Sequence, residues 1–287
     1  MAIIEIDGFK VYLNLNGTKS IIINSDYIDE CMEVYNDNQL DGVAVTISHD
    51  YRLQNVDFLS RYPDIKNLSI SEGIDDIRAI HKLSNLESLI VSGNKRSIDF
   101  SYLPLLKKLV IEWSSYFTNM DKCLALSDLS ISKYNPKSKD CLSIAKLNHI
   151  KKLKIVQSPI HTLNGLDKFY QLEEMEFDYC SKLEKLCCLE ESIESLVSLL
   201  FNHCKSIANY SYVAKFYHLT TLAYNNCGIM PSIGFIQKMN SLNSFRFIGT
   251  DVVDGDVAPC IGLGYAGFSD KKHFSHTMEE IKNLSRC

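Results

Sequence analysis

Large apolar residues recur through this chain at the spacing Leu-x-x-Leu-x-Leu, and that recurrence constrains its fold more than any other property. It is read at Ile65/Leu68/Ile70, Leu86/Leu89/Val91, Leu106/Leu109/Ile111, Leu126/Leu129/Ile131 and Ile150/Leu153/Ile155. It continues at Leu172/Met175/Phe177, Leu196/Leu199/Phe201, Leu219/Leu222/Tyr224 and Leu242/Phe245/Phe247, with a degenerate first copy at Gly42/Val45/Ile47. The ten copies begin 20 to 24 residues apart, a period at which each unit is one turn of a solenoid. Side chains alternate along a strand, so the fourth and sixth positions of a copy share the inward face and the third, fifth and seventh point out. One copy cannot bury its own leucines. Stacked copies join their inward faces into a continuous core and pair their strands into a parallel sheet. The returns carry further apolar residues, Ile160/Leu163/Leu166/Phe169 and Ile229/Ile233/Ile236/Met239, whose spacing of three and four predicts short helical turns.

Both ends of such a stack expose core and sheet edge and have to be closed. Residues 11–15 and 20–23 flank Asn16-Gly17, a hairpin turn signal, and residues 27–35 carry apolar side chains at helical spacing. Near the end, Thr277-Met-Glu-Glu280 has the form of a capping box, with Met278, Ile281 and Leu284 as the apolar stripe of the helix it starts. The expected organisation is an N-terminal cap of hairpin plus helix over 1–41, repeats over 42–249 and a C-terminal cap over 250–287.

With 46% hydrophobic and 23% charged residues, the chain has ample apolar material for a core and lacks the bias of a disordered tract. Residues 1–8, MAIIEIDG, put no cationic segment ahead of their apolar run, unlike a secretory signal, and no stretch reaches 18 uninterrupted apolar residues. A cytoplasmic protein away from the membrane is expected. Its ten cysteines are then reduced thiols, and no Cys-x-x-Cys pair points to zinc or redox chemistry. A net charge of −5 with dispersed Lys and Arg offers no cationic footprint for a phosphate backbone, which argues against nucleic acid as a partner.

The repeated units resemble those of the leucine-rich repeat superfamily, and the period with its compact returns is most similar to bacterial internalin-like arrays. The resemblance implies an α/β solenoid, a leucine-rich repeat horseshoe with a concave parallel β-sheet of about ten repeats, capped at both ends. It also implies protein recognition without a cofactor. Residues 251–259 (DVVDGDVAP) and 271–276 (KKHFSH) are similar to a C-terminal segment of cytosolic bacterial repeat proteins, some of which accompany polymorphic toxins. That similarity implies an immunity or inhibitor protein whose partner is a toxin. In leucine-rich repeats the ninth position holds an inward-pointing Asn or Cys. Here it holds Asn94, Cys180, Cys204 and Cys227, which implies a structural ladder. Cys187 and Cys188 are adjacent and cannot bridge each other without strain.

Catalytic motifs are sparse. Gly262-Leu-Gly-Tyr-Ala-Gly267 matches the dinucleotide pattern but lacks the preceding strand and following helix that its mechanism needs, and is read as a flexible cap loop. His273 and His276 stand three apart, with Asp254 and Asp256 as further candidate ligands, but no HExxH or comparable set accompanies them. No Gly-x-Ser-x-Gly elbow and no P-loop occurs. The chain is expected to have no catalytic residue and no metal site.

The outward strand positions are the informative ones for binding. The 150 copy presents Lys152 and Lys154, and the 172 copy presents Glu174, Glu176 and Asp178. Neighbouring rungs pair in register, so Lys152 should face Glu174 and Lys154 should face Glu176. Two readings stay open: a lateral charge ladder contributing about 0 to 1 kcal/mol per exposed pair, or a binding surface. Beyond the strands, the eighth positions include Trp113, Lys133, Tyr179 and His203, with Tyr116 and Tyr134 nearby. Aromatic side chains with a polar handle are common interface anchors. The candidate partner-binding residues are Glu112, Trp113, Tyr116, Lys133, Tyr134, Lys152, Lys154, Glu174, Glu176, Asp178, Tyr179, Asn202 and His203. The expected function is protein binding through the concave face. An enzyme or metal site in the C-terminal cap and a structural scaffold or adaptor are the alternatives.

Overall fold

A computed structural model describes residues 2–93, 97–190 and 194–285. The chain forms two compact units, Met1–Asp128 and Leu129–Cys287.

Unit 1 opens with an antiparallel meander of β1 (Ala2–Ile6), β2 (Phe9–Leu13) and β3 (Lys19–Ile22), followed by α1 (Ile28–Asp37). The β1–β2 turn passes through Asp7 and Gly8, both at positive φ, the two-residue hairpin geometry for which Asp-Gly is suited. Four parallel strands follow: β4 (Gly42–Val45), β5 (Asn67–Ile70), β6 (Ser88–Val91) and β7 (Lys108–Glu112). β3 also pairs in parallel with β4, so it ends the hairpin and begins the stack.

The register corrects the first copy. Val43 lies against Leu68 and Val45 against Ile70, so that copy reads Leu40/Val43/Val45 and not Gly42/Val45/Ile47. Ile47 is 49% exposed. The strand ends at Val45 because Thr46 caps the 3-10 turn Ile47–His49, accepting the Ser48 N–H on its hydroxyl.

Unit 2 begins within β8 (Asp128–Ser132) and continues through β9 (Lys152–Val156), β10 (Glu174–Asp178), β11 (Ser198–Asn202), β12 (Thr221–Asn225), β14 (Ser244–Arg246) and β16 (Tyr265–Gly267), hydrogen-bonded in that order. A separate parallel pair joins β13 (Ile229–Met230) and β15 (Asp251–Val252), and α2 (Met278–Leu284) follows. At its start the Thr277 hydroxyl accepts the Glu280 N–H and the Glu280 carboxylate accepts the Thr277 N–H, a complete capping box.

β16 was not expected. It belongs to an eleventh copy, Leu263/Ala266/Phe268, with Ala266 in register with Phe245, so the repeat does not stop at 249. The glycine-rich segment read as a flexible loop therefore builds a strand. A Cβ at Gly264 would sit 2.3 Å from Asn243 Oδ1, so that glycine leaves room for the Asn243 amide, whereas Gly262 with φ +93 answers to backbone geometry.

Many of the returns are 3-10 turns, and in these the apolar residues commonly recur every three. In unit 1, Ile80, Leu83 and Leu86 donate N–H bonds to the carbonyls of Ile77, Ile80 and Leu83; in unit 2, Ile236, Met239 and Leu242 do the same to Ile233, Ile236 and Met239. Three residues per turn keep such a row on one face. All of these side chains are buried, as are Ile160, Leu163, Leu166 and Phe169. Ile229 is 66% exposed; its neighbour Met230 fills the interior in its place.

Two ladders hold the core of unit 2 in register. At the sixth position Phe177, Phe201 and Tyr224 stack with centroids 5.4 and 5.1 Å apart and nearly parallel planes. At the ninth, Cys180, Cys204 and Cys227 are buried, and their thiols donate to the carbonyls of Ile155, Phe177 and Phe201. Ser158 and Thr250 extend the ladder, bonding the carbonyls of Tyr134 and Tyr224 through their hydroxyls. Each of these five side chains thus satisfies a buried carbonyl that would otherwise cost about 1 to 3 kcal/mol. Asn94 lies outside the described residues.

Candidate functional site

In six consecutive copies of unit 2 the eighth position ends the strand in the left-handed conformation. In unit 2, Lys133, Gln157, Tyr179, His203 and Asn226 have φ between +51 and +57, and Gly249 has φ +70. The turn is fixed from outside the residue. The N–H groups of Lys133, Gln157, Tyr179, His203 and Asn226 donate, each at 2.8 Å, to the carbonyls of Val156, Asp178, Asn202, Asn225 and Ile248 on the next rung. Conformations that L-residues normally avoid persist here because the neighbouring rung over-determines them.

Two of these residues are aromatic and adjacent. The rings of Tyr179 and His203 stack with centroids 4.3 Å apart and planes 4° apart, and Tyr179 is 54% exposed.

Beside the pair runs a polar ribbon. Lys154 Nζ lies 2.7 Å from Asp178 Oδ2 and 3.0 Å from Glu176 Oε2. Asn202 Nδ2 donates to Asp178 Oδ1 at 2.6 Å and to Glu176 Oε1 at 3.3 Å. Asn225 Nδ2 donates to Asn202 Oδ1 at 3.0 Å, and Asn225 Oδ1 accepts the Ile248 N–H at 3.2 Å. Partial desolvation opposes the charge on Lys154, but the two carboxylates outweigh it and raise its pKa. The outer pair Lys152–Glu174 closes at 2.6 Å. Lys152 faces Glu174 and Lys154 faces Glu176 in the strand register, as alternation requires. Asn225 is missing from the residues singled out by sequence, although it occupies the same seventh position as Asp178 and Asn202.

Tyr134 leaves the candidate surface. It is wholly buried because it occupies the ninth, inward position of the 126 copy, the place that Cys180 and Cys204 fill in theirs. Lys133, one residue earlier, keeps the outward eighth position.

Glu112, Trp113 and Tyr116 belong to unit 1. Trp113 packs edge-on against Phe117, which packs edge-on against Phe100, at centroid distances of 6.0 and 5.6 Å. Trp113 and Glu112 are half-buried and Tyr116 is exposed.

The C-terminal His and Asp residues work as local braces. His273 Nε2 lies 3.0 Å from the Val252 carbonyl, and His276 Nδ1 lies 3.0 Å from the Ser275 hydroxyl. Asp254 accepts the Asp256 N–H and Asp256 accepts the Ala258 N–H. Among the described residues no group of three or more His, Cys, Asp or Glu side chains is placed to hold a metal ion, and no helix is long and apolar enough to cross a membrane.

No family model matches the sequence, and no curated protein matches it. Solved structures do. An internalin (inlF) from Listeria monocytogenes superposes with a TM-score of 0.51 at 14% identity, over 80% of this chain and 68% of that one. The fold is the leucine-rich repeat fold. Two further structures from Listeria monocytogenes are similar: the functional domain of internalin J, which includes a cysteine ladder, and an internalin C2. The first has 14% identity and a TM-score of 0.42 over 74% of this chain and 55% of that one; the second has 15% and 0.42 over 68% and 78%. In this leucine-rich repeat chain the outward third, fifth and seventh positions and the left-handed eighth lie along one face of the sheet in unit 2.

Proposed function

We propose that this chain is a non-catalytic protein-binding leucine-rich repeat of the bacterial cytoplasm, an immunity or inhibitor protein that covers the working surface of a toxin with the outward face of its sheet. The observation that carries the reading is the Tyr179–His203 stack beside the Lys154–Asp178–Asn202–Asn225 ribbon. Rigid aromatic rings with polar tips contribute large contact area at little entropic cost, and pre-ordered polar side chains add hydrogen bonds without further ordering. The fold supports the protein-binding part of the reading. The inhibitor part rests on the similarity of residues 251–259 and 271–276 to a segment of toxin-associated repeat proteins.

Affinity purification of the full chain from a bacterial cytosol, with the wild type beside Tyr179→Ala/His203→Ala, tests it. A protein held stoichiometrically by the wild type, lost by the folded double variant and inhibited by added wild-type chain is the expected result. Retention by both forms, or a captured enzyme whose activity the chain leaves unchanged, contradicts the proposal.

A further inference from the structure

Resting on the proposed protein-binding face of unit 2, we infer that the partner places an Asp or Glu carboxylate on Arg246. Three cations occupy outward strand positions of unit 2 between β9 and β14, and the sheet treats them differently. Lys152 and Lys154 each meet acids of β10 in register. Arg246 is in register with Ala223 on one side and Gly267 on the other, neither of which carries a charge. Among the described residues it makes no ion pair and no hydrogen bond, and its Nε is shut off from solvent without an acceptor. Such a donor weakens the fold while it stays unmet.

The surroundings explain how the side chain is held. Ala223 is wholly buried although its position points outward, and Leu200 and Arg246 stand in register with it on the adjoining strands. On the other side the space beyond the Gly267 Cα is shared by the Tyr265 ring and Arg246 Cγ: a Cβ there would lie 3.1 Å from the Tyr265 hydroxyl and 3.2 Å from Arg246 Cγ. Tyr265 is 51% exposed. In the register Arg246 therefore stands between two small residues, its Cγ beside the Tyr265 ring, with no carboxylate paired to it on either adjoining strand. An arginine presents parallel N–H groups that fit one carboxylate in two-point contact. A carboxylate arriving from outside takes the Nη edge, and a shift of the side chain toward it brings the unmet Nε into the same contact. Arg246 stands three rungs from Tyr179, roughly 15 Å across the strands at the usual spacing, within the span of one ordinary protein contact surface.

Selection of a random dodecapeptide phage library on the full-length chain, followed by binding measurements with the enriched peptides, tests the assignment. Enriched peptides are expected to carry Asp or Glu at a fixed place. Arg246→Met is expected to weaken them by about tenfold or more, a loss of about 1.4 kcal/mol; changing the peptide acid to its amide should do the same, and both changes together should cost little beyond either alone. Arg246→Lys, which keeps the charge without the fork, should retain part of the affinity. Peptides without a fixed acid, or bound equally by Arg246→Met, overturn the inference; if those peptides still lose affinity with Tyr179→Ala/His203→Ala, the proposed face stands. Peptides indifferent to both sites, or no enrichment at all, contradict the face as well as its anchor.

Discussion

The ring of Tyr179 lies parallel to that of His203, 4.3 Å from it centroid to centroid, on the solvent side of a sheet whose other side stacks Phe177 on Phe201 and Phe201 on Tyr224. The two stacks share a cause, since rungs that repeat in register bring like positions together. They differ in exposure. Phe201 is wholly buried, so Phe201→Ala should lower unfolding free energy by about 3 to 5 kcal/mol. Tyr179→Ala removes a half-exposed ring and should stay within about 1 kcal/mol of wild type. Urea unfolding followed by circular dichroism checks both.

Tyr134 separates the interior from the surface by one residue. Tyr134→Ala is expected to destabilise by about 3 to 5 kcal/mol, as a buried aromatic does, whereas exposed Tyr116→Ala should change stability by less than about 0.5 kcal/mol. A similar small loss at both positions would return Tyr134 to the surface.

Asp140 supplies a pH-dependent term. Burial opposes its charge, but it accepts hydrogen bonds from the Ser138 hydroxyl, the Leu142 N–H and the Asn164 amide, which together bring its pKa below the usual carboxylate value. A group depressed on folding stabilises above its unfolded pKa, about 4, and that contribution is lost as pH falls through the folded value. Asp140→Asn should therefore cost stability at pH 7 and progressively less as pH drops below about 4. Urea midpoints for both proteins at pH 7, 5 and 3 check the sign.

Cys188 tests the thiols. Burial, then its contact with Cys187 at 3.4 Å, pushes the Cys188 thiol up to about 12. Only the thiolate alkylates, so iodoacetamide at pH 8 should modify Cys188 at least about tenfold more slowly in the folded chain than in urea. Peptide mass spectrometry of timed samples reads the ratio.

How much of this was legible in the sequence follows from where the signal is strong. Leu68, Leu89 and Leu109 announce their rungs because a large branched residue stands at each inward place. Val43/Val45 and Ala266/Phe268 do not, so the sequence pattern sets the first copy two residues late and leaves the last without a signal. The three-residue period of the returns was present in Ile233/Ile236/Met239 and distinguishes 3-10 turns from α-helix. Lys154 opposite Glu176 followed from alternation alone. Tyr134 could have been placed inside by counting to nine. Arg246 offered no such signal, because an unmet charge is visible only once its neighbours are known to be Ala223 and Gly267.

Site-specific photo-crosslinking tests the central claim most directly. Benzoylphenylalanine replaces Tyr179 on the sheet face, or Tyr217, an exposed tyrosine in the return before β12, and cells producing each variant are irradiated. A single discrete protein adduct at position 179, with none at 217, is the predicted result. Adducts at 217 and none at 179, or none at either position, would contradict recognition through the outward face of the sheet.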